Sequence, residues 1–290
     1  MDYLLHIVII AAIYTTLAVS LDLLAGQTGL LSLAHAAFYG IGAYSSALLA
    51  TALHLPILVS VLAGMLCAAV VSLLVSVPSL RLHDDYFVIA TFGFQMILFS
   101  IFNNWVDLTH GPLGIAGIPQ PTIFGWQINS NWKFACLGLL FACFAYFVVG
   151  RLSHSPFGRV LRAIRQDEVF ARSIGKNTLK FKVAAFAVSA ALAASAGSLY
   201  AHYISYVDPS SFTVMESILV ISMVIIGGPA STWGPLIGAA VLVTLPEALR
   251  FTGLPSAVAA NLRQVFYGAL LVIMMMFRPQ GLVGRYGFGR

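Results

Sequence analysis

Residues 151–182 read RLSHSPFGRVLRAIRQDEVFARSIGKNTLKFK. They hold Arg151, Arg159, Arg162, Arg165, Arg172, Lys176, Lys180 and Lys182, eight of the chain's fifteen Lys and Arg residues, between two long apolar stretches. Ser155 suits a helix N-cap, Pro156 the first helical position and Gly175 the residue just past the end, so the segment predicts a short amphipathic helix from about Pro156 to Ile174. Arg159, Arg162 and Arg165 recur at helical spacing, while Val160, Ile164, Ala171 and Ile174 lie largely on another side. Two readings stand side by side. The island is either a positively charged loop that fixes membrane orientation, or a docking surface for a cytoplasmic partner. Asp167 and Glu168 inside the basic run, followed by Ala171 and Gly175, favour docking, because an anchor needs only positive charge.

Outward from that island the chain is apolar. Of its 290 residues 60% are hydrophobic and 9% charged, and the mean hydropathy is +0.93. Soluble domains carry about a quarter charged residues, so the class is an all-α integral membrane protein. At about 20 residues per span there is room for a polytopic bundle of roughly eight to ten helices, some short or broken, in a single transmembrane domain over residues 1–290. Any energy-transducing machinery must then come from a partner. The net charge of +5 is concentrated and points to membrane topology rather than nucleic acid. Cys67, Cys136 and Cys143 form no CxxC pair and stand beside no His cluster. They are expected to be small buried hydrophobes, with no metal site and no cofactor.

Nine apolar runs can be placed, at residues 3–24, 30–53, 56–77, 86–102, 132–149, 183–203, 212–226, 235–249 and 257–277. With the basic island inside, Arg81 before it and Arg278, Arg285 and Arg290 after it fall on the same side. Lys133, Arg250 and Arg263 are left near the opposite surface, which satisfies the positive-inside rule. The N-terminus is then outside. Residues 103–131, rich in Gly, Pro, Asn and Trp, become an external loop long enough to be a lid or a docking surface.

Residues 26–44, GQTGLLSLAHAAFYGIGAY, are punctuated by glycine and carry Ser32 and His35 at membrane depth. They read either as a tight helix interface with a satisfied histidine or as a broken helix lining a solute path, with Phe38 and Tyr39 on it. Residues 227–235, GGPASTWGP, are a loose counterpart in the second half. Among isolated ionisable residues, Asp22 and Glu216 have the best claim to face the bundle interior, ahead of His54, His202 and Glu247. His83, Asp84 and Asp85 stand beside Arg81 in what reads as a short turn, and no catalytic site is assigned to them.

Several blocks resemble the LivM-type permease subunit of branched-chain amino acid ABC importers. They are residues 29–44 (GLLSLAHAAFYGIGAY), 81–91 (RLHDDYFVIAT), 111–119, 155–175 (SPFGRVLRAIRQDEVFARSIG), 189–201 (SAALAASAGSLYA), 217–238, 245–250 (LPEALR) and 277–281 (FRPQG). The spacing of Glu168, Ala171 and Gly175 also resembles the glutamate-alanine-glycine motif by which importer permeases contact their ATPase. The resemblance implies a permease of the bacterial inner membrane that moves leucine, isoleucine or valine inward and does no covalent chemistry itself. It implies cytoplasmic ABC ATPase subunits seated on the 151–182 segment, with Arg159, Arg162, Arg165, Asp167 and Glu168 among the contacts. It further implies a second, LivH-like permease subunit and a periplasmic solute-binding protein. The chain departs from the pattern at Ala34 and Ala194, where glycine is expected, at Asp22, where asparagine is usual, and at Lys176, where an apolar residue is commoner. Related permeases serve urea, short amides or aromatic acids, so those cargoes remain an alternative. An ion-coupled secondary transporter, with Asp22 and Glu216 as its paired acids, is another.

Overall fold

The computed structural model describes residues 2–80, 84–123, 126–250, 256–278 and 280–283. In chain order these form α1 (Asp2–Ala25), α2 (His35–Ala52), α3 (Ile57–Ser79), α4 (Asp84–Asn104) and the single turn α5 (Val106–Thr109). A 3-10 turn (Gly111–Leu113) and three two-residue strands follow, β1 (Ile115–Ala116), β2 (Thr122–Ile123) and β3 (Trp126–Gln127). Then come α6 (Asn131–His154), α7 (Pro156–Gln166), α8 (Glu168–Ser173) and α9 (Thr178–Ile204). The remainder is β4 (Tyr206–Val207), a 3-10 turn (Pro209–Phe212), α10 (Val214–Gly227), α11 (Gly234–Arg250) and α12 (Ser256–Phe277). Each of the nine apolar runs becomes a helix. Among the described residues five helices, α1, α3, α4, α6 and α9, are long and apolar enough to cross a membrane. Two runs make shorter pieces, α10 with 14 residues and α11 with 17; 14 residues rise about 21 Å against a hydrocarbon core of about 30 Å.

The centre is α1, α2 and α9, which pack on one another and are buried along most of their length. Small residues permit the approach of α2 and α9. A Cβ added at Gly42 would lie 2.0 Å from the Ala194 carbonyl oxygen, and one at Gly197 would lie 1.9 Å from that of Tyr39. With no side chain between them the backbones come close enough for dense dispersion contact. Phe38, Tyr39, Phe87, Phe186 and Phe212 fill the space around this seam with edge-on ring contacts. Around the centre, α3, α4 and α6 turn Leu62, Leu66, Leu74, Ile89, Ile97, Leu140 and Phe147 outward, the arrangement expected of a bundle solvated by lipid. Cys67, Cys136 and Cys143 are exposed on those outer faces, not buried as expected. A thiol is apolar enough to face acyl chains, so hydropathy alone does not sort it inward.

The two ends of the bundle differ. At one, β1 pairs antiparallel with β4 (Ile115 with Val207, Ala116 with Tyr206) and β2 with β3, so part of the 103–131 region packs on the exit of α9. At the other, basic end lie α7, α8, residues 26–34, the link between α10 and α11, and the chain after α12. Leu282 and Val283 donate their N–H groups to the carbonyls of Ile226 and Gly227 there, at 2.8 and 3.0 Å. Gly281, at φ +74°, allows that return, since a Cβ would strike Gly228. His83 lies outside the described residues, as do the side chains of Asp84, Asp85 and Glu247.

Candidate functional site: two interrupted segments and a braced helix pair

The basic segment forms two helices where one is expected. Asp167 is extended (φ −156°, ψ 106°) and its side chain accepts the Phe170 N–H at 2.9 Å, starting α8 afresh. Aspartate competes with the helix backbone in this way, and the basic periodicity that runs through Asp167 masks its capping signal. Ser155 caps α7 through the Gly158 N–H as expected. Gly175 sits at φ +79° just past α8. Leu161, Ile164 and Ala171 are buried.

The arginines of α7 divide. Arg159 is exposed. Arg162 turns into the bundle, its Nη1 donating to the Ser153 carbonyl at 2.8 Å and to Gln27 Oε1 at 3.3 Å. Arg165 Nη1 donates to the Gly26 carbonyl, and its methylenes cover Gly29, whose φ is +77°. Two arginines thus tie α7 to the irregular segment between α1 and α2. Glu168 is also engaged within the chain, accepting from Lys182 Nζ at 2.6 Å and Arg172 Nη2 at 2.7 Å. Beside it Val169, Phe170 and Ile174 stand 77%, 60% and 54% exposed. Three apolar side chains thus stand exposed together at the charged end of the bundle.

The Gly26 and Thr28 N–H groups still bond the Asp22 and Leu24 carbonyls as in a helix, but residues 29–34 run into the bundle from the basic end in irregular backbone, and α2 begins inside. Backbone there can persist only if protein satisfies it. The Leu33 N–H donates to Thr91 Oγ1 (3.1 Å), Ala36 to Ser217 Oγ (2.9 Å) and Ala37 to Gln95 Oε1 (2.7 Å). Gln95 Nε2 in turn donates to the Phe212 carbonyl at 2.8 Å, just before α10. A second irregular segment, residues 205–213, therefore comes in from the opposite end, and Gln95 joins the two. Thr91, Gln95 and Ser217 were not singled out from sequence. Their partners lie 58 and 181 positions away, beyond any local signal.

Of the candidate path residues, Ser32, His35, Phe38 and Tyr39 are all 2% exposed or less, around the start of α2. His35 Nε2 meets Ser20 Oγ at 2.7 Å. The Ser20 hydroxyl donates to the Leu17 carbonyl, so the imidazole N–H is the donor in that contact. Ser189 bonds the Ser20 carbonyl, adding α9 to the same node. The Tyr39 hydroxyl is buried and has no hydrogen-bond partner among the described residues, and its ring lies against those of Tyr200 and Phe212. Glu216 accepts from the Tyr14 hydroxyl. Asp22 is elsewhere, at the basic end, where Oδ1 accepts the Ala230 N–H at 2.8 Å. Tyr14 and Asp22 stand eight residues apart on α1, about 12 Å along its axis, so Asp22 and Glu216 do not form the acid pair an ion-coupled carrier would want. The 227–235 segment is accordingly the partner of the end of α1, while the interruption facing residues 26–34 inside the bundle is 205–213.

Helices that start inside a membrane bundle, with satisfied irregular backbone entering from both ends and a braced helix pair at one of them, define a multi-pass permease. The chain belongs to the family described as branched-chain amino acid transport system / permease component, whose family model matches residues 3–275. It is 35% identical over 294 residues to the high-affinity branched-chain amino acid transport system permease protein LivM of Escherichia coli, covering 93% of this chain and 68% of that one. It is 36% identical over 295 residues to LivM of Salmonella typhimurium, with the same coverage. With LivH of Salmonella typhimurium it shares 26% identity over 96% of this chain and 93% of that one. No solved structure matches the chain.

Proposed function

We propose that the chain is one transmembrane subunit of an ATP-driven importer for leucine, isoleucine and valine, set in a bacterial inner membrane with its basic end in the cytoplasm. One observation carries the reading: α7 and α8 are held to the bundle by Arg162, Arg165 and Lys182, while Val169, Phe170 and Ile174 are presented outward. A cytoplasmic ATPase would seat those apolar side chains in a groove, and the arginines would pass its movement to residues 26–29. The Glu168-Ala171-Gly175 spacing then works from inside. Glu168 orients α8 through Lys182, buried Ala171 allows close packing, and Gly175 turns the chain back into α9.

The branched-chain cargo is carried over from the names of the LivM and LivH relatives. The same relatives support a second, related permease subunit beside this one, with residues 103–131 facing a periplasmic binding protein. Ser32, His35, Phe38, Tyr39 and Glu216 surround the junction where α2 and α10 begin, and the path would pass this junction.

Reconstitution of the chain with a LivH-like subunit, two ABC ATPases and a binding protein should give leucine uptake that requires ATP. Phe170→Asp, which puts a charge into the docking surface, should reduce ATPase capture by about tenfold, the effect of burying an unpaired charge at a small interface. Uptake by this chain alone, driven by an ion gradient without nucleotide, would sink the importer reading.

A further inference from the structure

At the basic end a cavity of about 570 Å³ opens between α1, α6, α7 and the link from α10 to α11. That size suits a small molecule. Asp22 and Gln27 lie in its floor, 3% and 5% exposed, and Arg162 lies in its wall. Tyr146 and Trp233, in ring contact at 5.8 Å, line it nearer the surface together with Thr232. Opposite charges and an aromatic mouth thus share one space.

The internal bonds leave donors and acceptors over. Asp22 Oδ1 accepts from Ala230, and among the described residues no hydrogen-bond donor reaches Oδ2. Among the described residues Arg162 makes its bonds through Nη1, which leaves Nη2 and Nε. Gln27 receives Arg162 on Oε1, and among the described residues both N–H groups of its amide remain over. Asparagine at position 22, which the resemblance leads one to expect, would accept from Ala230 equally well. What aspartate adds is a negative charge, and a buried charge is costly unless something answers it. Arg165 stands near enough to act on Asp22 electrostatically, while its own Nη1 is turned to the Gly26 carbonyl.

We propose that this cavity binds a small zwitterion, with a primary ammonium at Asp22 and an oxyanion at Arg162. The ammonium would donate to Oδ2, and the oxyanion would take the remaining guanidinium hydrogens in a charge-assisted contact. Tyr146 and Trp233 would cover the apolar remainder. Two sources offer this chemistry. One is a free α-amino acid leaving toward the cytoplasm, which rests on the importer reading. The other is the headgroup of an aminophospholipid, which does not. Arg162 also holds Gln27, so occupancy from either source would bear on the tie between α7 and the segment after α1.

The test uses the full chain in nanodiscs, with Cys67, Cys136 and Cys143 replaced by alanine and Thr232→Cys as a reporter, and reads the rate of thiol labelling. In phosphatidylglycerol discs, leucine should slow labelling by about tenfold as the site fills, whereas isocaproate, lacking the ammonium, and isoamylamine, lacking the carboxylate, should not. If the lipid is the occupant, phosphatidylethanolamine discs should show the slowing without leucine. Asp22→Asn should abolish protection of either kind. Should that variant fold poorly, the two single-charge analogues still discriminate on the unmutated site. Rates indifferent to both leucine and lipid, or equal protection by either analogue, would overturn the proposal. ATP-dependent leucine uptake measured in parallel separates that outcome from failure of the importer reading.

Discussion

Glu168 answers to Lys182 and Arg172 at once, and one of these partners has little access to water. The Lys182 side chain is 7% exposed and that of Glu168 28%. Partial burial raises the Glu168 carboxyl, but hydrogen bonds from Lys182, Thr178 and Arg172 outweigh it and hold the group below the ordinary glutamate value. A carboxylate whose folded pKa lies below its unfolded one, about 4.3, contributes stability that is fully present above the unfolded value. That contribution is lost as pH falls through the folded value. Glu168→Gln leaves the Lys182 ammonium buried without its counter-charge, which costs roughly 3–5 kcal/mol at fully buried pairs and less here because Glu168 is partly wet. Thermal unfolding in detergent should show a lower Tm at neutral pH and a flatter decline on acidification than the native chain. Parallel pH profiles would remove Glu168 from the fold's electrostatics. Two helical glycines give a second contrast at this scale. Gly42→Ala would put a methyl 2.0 Å from the Ala194 carbonyl oxygen, while a Cβ at Gly93 meets nothing within 4 Å. Overpacking costs about 1–3 kcal/mol, whereas alanine for glycine on an open helix face gains about 0.5–1 kcal/mol. The Tm values should therefore move in opposite directions, and equal shifts would deny the α2–α9 contact.

At the scale of the element, α2 begins where no local signal would start a helix. Ala34 makes no side-chain cap, and its place is taken by Ser217 and Gln95 from α10 and α4. Gln95→Leu leaves the Phe212 carbonyl without its amide donor, about 1–3 kcal/mol, and leaves the Ala37 N–H only its 3.1 Å bond to the Ala34 carbonyl. Faster amide exchange at Ala36 and Ala37, with α9 unchanged, would show that the junction and not the whole bundle has loosened. Unchanged exchange would show that water or lipid replaces the glutamine. The same element marks what could be read from sequence. Residues 26–44 announced themselves through their glycines, because glycine spacing is local information. Ser155 and Gly175 did so for the α7–α8 unit by the same logic. The satisfaction of α2's first turn depends on pairings across the whole chain, so Gln95 looks like one more residue of an apolar helix. Arg162 and Arg165 fall between these cases. Their helical spacing shows a shared face, and only the packed chain shows that this face meets Gln27 and Gly26.

For the whole molecule the question is how motion at α7 reaches the interior. The route is short: Arg165 holds the Gly26 carbonyl, Asp22 one turn earlier holds Ala230, and Gly227 at the other side of that link is held by Val283. A displacement of α7 therefore pulls on the end of α1, on residues 26–34 and on the α10–α11 link together. If this linkage transmits work from an ATPase, weakening it must separate hydrolysis from transport. Arg165→Gln removes a charged donor, an interaction of about 1.5–3 kcal/mol, corresponding to roughly a 10- to 150-fold change where it governs an equilibrium. Leucine uptake by the reconstituted transporter should fall within that range while ATPase activity stays near the native rate. Arg165→Lys, which keeps the charge near Asp22 and can still donate once to Gly26, should recover part of the uptake. A variant in which uptake and hydrolysis fall together would instead place Arg165 in the contact with the ATPase itself, and α7 would be a docking surface with no lever behind it.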